Sequence, residues 1–83
     1  MTSFARAARR RSRPSSGRLV SLDEAGADVL TPAGPVRATW GCALMVARGT
    51  GDPQAPRKGD AVRLIHWPDG RVTVEQVIMR ALR

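Results

Sequence analysis

The chain is poor in the residue types that build disulfide, metal and catalytic sites. Among its 83 residues there is one cysteine, Cys42, and one histidine, His66. A lone cysteine excludes an intramolecular disulfide framework, and these two residues leave almost no material for a zinc site within one chain. We therefore expect neither a bound metal nor a cofactor.

Long hydrophobic runs are also missing. The longest unbroken apolar stretch covers residues 42–47, whereas a membrane-spanning helix needs about 20 apolar residues. The arginines near the N-terminus are not followed by the apolar stretch of a secretory signal peptide. We therefore expect no transmembrane segment and no membrane partner, and a cytoplasmic or assembled-particle location.

The positive charge is concentrated at the N-terminus. The chain has 14 Lys and Arg residues against 7 Asp and Glu residues, a formal net charge of +7. Residues 1–17 contain no acidic residue and five arginines, which are Arg6, Arg9, Arg10, Arg11 and Arg13. This composition predicts a basic arm and linker over residues 1–17, disordered unless bound, and a nearly neutral domain over residues 18–83.

From residue 18 onward the apolar pattern is typical of short β-strands. Strands are predicted at residues 18–23, 27–31, 36–46, 61–67 and 71–78. In the first strand, Val20 and Leu22 should share one face. The third strand shows the clearest alternation, but its second half, residues 42–47, also fits a helical turn because Ala, Leu and Met favour helices. Both alternatives stay open there.

The connections carry their own signals. Residues 48–59 predict a long polar loop rich in Gly and Pro. The sequence WPDGR at 67–71 predicts a β-hairpin, because proline presets φ for a type I turn and glycine takes the left-handed position after it. Residues 79–83 are expected to be a short tail that frames the domain or contacts a neighbour.

Five short strands with one long loop predict an all-β fold, a small five-stranded β-barrel with an extended basic N-terminal arm. An open sheet of this size could not bury a core, and closure removes the edge strands. An OB-like barrel is favoured over an SH3-like one, because the predicted third strand is long and the longest loop follows it.

Several segments resemble small OB-like barrel domains in the tail and neck proteins of tailed bacteriophages. The segments are GRLVSLD at 17–23, ADV at 27–29, VRA at 36–38, GDAV at 59–62 and WPDG at 67–70. The resemblance spans about residues 17–78. It implies a structural adaptor without catalytic residues, located in a virion or assembled particle. Its partners would be neighbouring protein subunits, in a homo-oligomeric ring or a tube.

No set of residues predicts an enzyme. Cys42 and His66 are the only pair to consider for nucleophilic catalysis. Cys42 shares the apolar parity of its predicted strand and is interpreted as a small buried thiol, and His66 as a partly buried core or rim residue. Five carboxylates fall at turn or loop positions with a local structural use, namely Asp23, Glu24, Asp52, Asp60 and Asp69. We expect no catalytic residue and no small-molecule substrate.

The candidate binding residues are basic. Arginine suits acidic protein surfaces and phosphates alike, so the five arm arginines are assigned to a partner, with Arg57 and Lys58 as secondary candidates. The favoured function is a non-enzymatic component of a larger assembly, such as a phage-type tail or head-to-tail junction. The alternative is a small RNA- or DNA-binding protein, with Trp67 stacking on a base. Trp40 is expected in the core.

Overall fold

The computed structural model describes residues 12–81, which form five strands and one short helix. The elements are β1 (Arg13–Leu22), β2 (Gly26–Thr31), β3 (Gly34–Trp40), α1 (Cys42–Gly49), β4 (Ala61–His66) and β5 (Val72–Met79). The predicted predominance of β-structure is therefore confirmed. The arm residues Arg6, Arg9, Arg10 and Arg11 lie outside the described residues.

The five strands form one sheet that closes into a ring. Their order around the ring is β1-β2-β3-β5-β4, and β4 pairs back onto β1. All neighbouring strands are antiparallel except β3 and β5, which pair in parallel through Thr39 with Thr73 and Trp40 with Val74. Closure matters because unpaired edges would expose a row of backbone N–H and C=O groups.

The core fills the inside of this ring. Its members are apolar side chains that alternate with exposed ones along the strands, as a half-buried strand requires. The buried set is Leu19, Ala27, Val29, Ala38, Trp40, Leu44, Val62, Leu64 and Val74. Trp40 is 4% exposed and its indole N–H donates to the Asp23 carbonyl at 2.9 Å, so its predicted core position is confirmed.

β1 starts earlier than the sequence predicts. Residues 14–17, interpreted as a linker, are part of this strand and pair with β4, from Arg13 opposite His66 to Arg18 opposite Ala61. Small polar residues carry no hydrophobic alternation, so the pairing with β4 decides their conformation.

A bulge in β1 changes which of its residues point inward. Leu19 pairs with Val29 but Ser21 pairs with the next residue, Asp28, so β1 has one extra residue there. Leu19 is consequently buried, whereas Val20 is 47% exposed. The prediction that Val20 and Leu22 share one face is wrong, because the bulge shifts the alternation between them.

The predicted third strand, 36–46, extends too far, because residues 42–47 form the helix that stayed open as the alternative. The long third strand that favoured an OB-like barrel is therefore wrong. β3 ends at Trp40, and α1 begins at Cys42 after Gly41, whose N–H donates to the Val74 carbonyl at 2.9 Å. Only Leu44 of the helix is buried. Cys42 is exposed, so its predicted place as a buried thiol is wrong. The alternation that predicted a buried position for Cys42 applies to a strand, whereas Cys42 lies in a helix.

The predicted hairpin between β4 and β5 is confirmed. The N–H of Trp67 donates to the carbonyl of Arg71 at 2.8 Å, and the N–H of Gly70 donates to the carbonyl of Trp67 at 3.0 Å. Gly70 has a φ of 93°, a left-handed conformation that favours glycine.

A buried carboxylate fixes the loop before β4 and the residues after β5. Asp60 is 2% exposed and accepts the backbone N–H groups of Arg57 and Ala81, at 2.9 and 2.8 Å, and an ion pair from Arg80 at 3.3 Å. Burial raises the pKa of Asp60, but these hydrogen bonds and the charge of Arg80 outweigh it, so the pKa lies below its ordinary value. The predicted tail, as far as Ala81, therefore packs against its own domain.

Candidate interaction surface

Two arginines lie next to each other on the outer face of β1 and β4. Arg18 pairs across the sheet with Ala61, and Arg63 pairs with Ser16. Arg18 and Arg63 are therefore diagonal neighbours on one face, a placement that puts two residues about 7–8 Å apart, with their Cβ atoms somewhat closer. Both side chains are exposed.

A lysine extends this pair toward the loop before β4. The guanidinium of Arg18 donates to the Gly59 carbonyl at 2.8 Å. Lys58 directly precedes Gly59 and is exposed. We call Arg18, Lys58 and Arg63 the basic strip. Because a guanidinium has five N–H donors, the contact to Gly59 leaves Arg18 with donors for a partner.

Four aspartates form ion pairs away from the basic strip. Three ion-paired arginines hold aspartates in the described part of the chain, in the pairs Arg37–Asp23, Arg37–Asp28, Arg71–Asp69 and Arg80–Asp60. Within residues 12–81, no carboxylate forms an ion pair with a member of the basic strip. The strip is therefore free to contact an anionic partner.

An acidic corner lies where β1 turns into β2. The Arg37 guanidinium donates to both oxygens of Asp23, at 2.8 and 2.6 Å, and contacts Asp28 at 3.5 Å. This hydrogen bond and those from the N–H groups of Gly26 and Ala25 hold the pKa of Asp23 below its ordinary value. Arg37 is thus occupied by carboxylates and is not available to phosphates.

The predicted binding residues fall at two places. Arg13 is the exposed first residue of β1, opposite His66 at one end of the ring. Arg57 and Lys58 lie in the exposed turn before β4, near the other half of β1. Five residues of strand, roughly 17 Å, separate Arg13 from Arg18. The structure therefore brings Lys58 to the strip and leaves Arg13 at a distance.

Sequence reasoning missed the two central members of the strip. Arg18 and Arg63 each stand alone in the sequence among apolar residues. They become neighbours only through the register of β1 against β4. Their alternation with buried residues was visible and marks both as outward-facing, but the pairing of the two strands was not.

Trp67 lies at the same end of the ring as Arg13. It follows His66 directly and is 38% exposed. Its indole N–H donates to the Thr73 hydroxyl at 2.9 Å, and that hydroxyl contacts a Glu75 carboxylate oxygen at 2.5 Å. Trp67 is thus held in place by β5 and is separate from the basic strip.

His66 is half-buried, in agreement with its interpretation as a rim residue, and it has a partner that the sequence did not suggest. The Ser15 hydroxyl and His66 Nε2 are 2.8 Å apart. A serine and a histidine at this distance are two parts of a nucleophilic site, but such a site also needs a group that orients the histidine. Within residues 12–81 no carboxylate contacts His66, and the pair joins β1 to β4.

The described residues contain neither a metal-binding cluster nor a membrane-spanning helix. Between residues 12 and 81, no cluster of His, Cys, Asp and Glu side chains is placed to hold a metal ion. The one helix of this region is too short to span a membrane. No model of a known protein family and no curated protein matches the chain.

Proposed function

We propose that this protein is a non-enzymatic docking module with an OB-like β-barrel fold, and that its basic strip binds an acidic surface of a protein partner. The strand order β1-β2-β3-β5-β4, with a helix between β3 and β4, supports the OB-like assignment over the SH3-like one. The observation that carries the function is the separation of charges: within residues 12–81, Arg18 and Arg63 on β1 and β4 form no ion pair, whereas four aspartates form ion pairs elsewhere.

In sequence, the arm precedes the end of β1 that lies farther from the strip. Its arginines directly precede β1, and Arg13 is already part of that strand. Charge-assisted hydrogen bonds from arginine to carboxylates are stronger than neutral ones. The rigid ring supplies the strip, and the arginines that precede it add contacts to the same partner. A position in a phage-type particle, among copies in a ring, rests on the sequence resemblance and stays a prediction.

An acidic protein suits this surface better than a nucleic acid. Proteins that bind single strands add aromatic stacking platforms to a basic groove. Trp40 is buried, and Trp67 lies at the end of the ring that Arg13 occupies, not beside the strip. The strip therefore offers charge without stacking.

The test is fluorescence anisotropy with labelled poly-glutamate, at low and near-physiological salt, on the full chain. Arg63→Gln removes one charge from the strip. Arg71→Gln is the matched control, because Arg71 is exposed and already paired with Asp69 at 2.7 Å. We expect a loss of affinity of about two- to fivefold in Arg63→Gln, as for an exposed ion pair, and no loss in the control. Equal losses would show that only net charge matters and would overturn the proposal.

The nucleic-acid alternative is favoured by one observation, the exposed Trp67 near Arg13. A labelled single-stranded oligonucleotide tests it in the same assay. Binding that outlasts poly-glutamate binding as salt rises, and that falls about tenfold in Trp67→Ala through lost stacking, would replace the proposed partner with a nucleic acid.

A further inference from the structure

A shallow groove runs along the outside of the ring next to the basic strip. Its volume is about 520 Å³, and it crosses β2, β1, β4 and β5. Most of its lining is aliphatic and comes from Leu30, Pro32, Ala61, Ile78 and Met79. The charged side chain of Arg18 also lines the groove. Leu30, Ile78 and Met79 are 54%, 49% and 68% exposed.

The register of four strands produces this groove. Arg18 pairs with Leu30 of β2 on one side and with Ala61 of β4 on the other, and Ala61 pairs with Met79 of β5. These four side chains form one row across the outside of the sheet. Arg18 is the one charged residue in this row, and Leu30, Ala61 and Met79 are apolar.

A second bulge adds to the apolar surface. Ala61 pairs with Met79 while Val62 pairs with Val77, so Ile78 is an extra residue in β5. Ile78 and Met79, although consecutive, are therefore both exposed. Exposed apolar side chains that cluster in a groove mark an interaction site more often than scattered ones do.

We propose that this groove binds an acidic peptide segment of a partner protein that also carries apolar side chains. The inference rests on the proposed function and names the partner chemistry at the same surface. The apolar side chains would pack on Leu30, Ile78 and Met79. The carboxylates would meet Arg18 within the groove and Arg63 beside it, neither of which has an acidic partner in the described part of the chain.

Other occupants fit the groove less well. The chain's own arm has five arginines, which Arg18 and Arg63 would repel, and Met1 and Phe4 are its only large apolar residues. Among the residues that the structure describes, no aromatic side chain lines the groove, so a nucleic acid would find no stacking platform there.

The experiment is selection from a displayed library of random peptides against the full-length protein, followed by anisotropy titrations with the selected peptides. We expect selected sequences that combine Asp or Glu with Leu, Ile, Met or Phe. The double variant Ile78→Thr/Met79→Gln removes the apolar wall, and we expect at least about tenfold weaker binding from the lost apolar burial. Val46→Gln is the matched control, because Val46 is 58% exposed on α1 and lies outside the groove.

The outcomes separate the groove from the strip. If Arg63→Gln weakens peptide binding but Ile78→Thr/Met79→Gln does so no more than Val46→Gln, the groove inference is wrong and the proposed function stands. If neither the strip nor the groove variant matters, both are wrong. Selected peptides that are basic or purely polar would overturn the inference. So would self-association of the protein that Ile78→Thr/Met79→Gln abolishes. Tighter binding to an oligonucleotide or to anionic vesicles than to any peptide would overturn it as well. Circular dichroism confirms that each variant is folded.

Discussion

The substitution Asp60→Asn should destabilise the domain more than any change to an exposed aspartate. The Asp60 carboxylate is 2% exposed and accepts two backbone N–H groups and an ion pair from Arg80. A hydrogen bond to a charged group contributes about 1.5–3 kcal/mol. The asparagine amide keeps one acceptor oxygen and turns its NH₂ group toward a donor. We therefore expect a loss of about 2–3 kcal/mol in the free energy of unfolding.

Urea denaturation followed by tryptophan fluorescence measures this loss. A decrease of this size lowers the urea midpoint by about 1–3 M if the slope is unchanged. The control is Asp52→Asn, which alters an exposed aspartate that accepts the Gln54 N–H at 2.8 Å. We expect it to stay within about 0.5 kcal/mol of the unchanged protein. Equal midpoints for the two variants would refute the argument that Asp60 holds the loop and the C-terminal residues.

The pH dependence has a definite sign. The pKa of Asp60 is lowered on folding, so its ionised form stabilises the fold above the unfolded-state value of about 4. This contribution is lost as the pH falls through the lower, folded-state pKa. The stability difference between the unchanged protein and Asp60→Asn should consequently be full near neutral pH and shrink below about pH 4. A difference that grows on acidification would contradict this assignment.

Three further predictions concern the packing. Gly26→Ala should lower the melting temperature strongly, because a Cβ there would lie 2.0 Å from the Ala38 carbonyl oxygen. A Cβ at Gly49 meets nothing within 4 Å, so Gly49→Ala should raise the free energy of unfolding by about 0.4–1 kcal/mol. Similar effects of the two substitutions would contradict the close approach of β2 and β3. In urea titrations, Leu19→Ala should lower the free energy of unfolding by about 2–5 kcal/mol, and Val20→Thr by less than about 1 kcal/mol. A larger loss in Val20→Thr would contradict the bulge in β1. Cys42 is exposed and should react with a thiol reagent almost as fast in the native protein as in the denatured protein. Slow labelling of the native protein would contradict this exposure and indicate a buried thiol.

Local signals gave the correct structure where the relevant chemistry is local. The β4–β5 hairpin depends on Pro68 and Gly70, and it forms where their turn preferences place it. The helix α1 shows the opposite case. The apolar alternation over residues 36–46 favoured a strand, although Ala, Leu and Met also fit a helix. The chain leaves the sheet at Gly41, whose N–H donates to the Val74 carbonyl of β5, and the helix follows.

Features that depend on strand pairing could not be predicted from one sequence. The start of β1 is set by β4, and its bulge is visible only against β2. The same limit applies to the surface. Lys58 was found because it lies in a polar loop, whereas Arg18 and Arg63 looked like ordinary outward residues of two distant strands. Their juxtaposition is a property of the closed sheet.

The direction of the strands has a mechanical consequence. β1 and β5 are both antiparallel to β4, which lies between them, so they run the same way. The chain enters the sheet at Arg13 on one end of the ring and leaves it at Met79 on the other. A pull between these points acts along the strands and perpendicular to the ladder hydrogen bonds, so it loads those bonds together in shear rather than opening them one by one. The domain can therefore transmit tension between an attachment before β1 and another after β5.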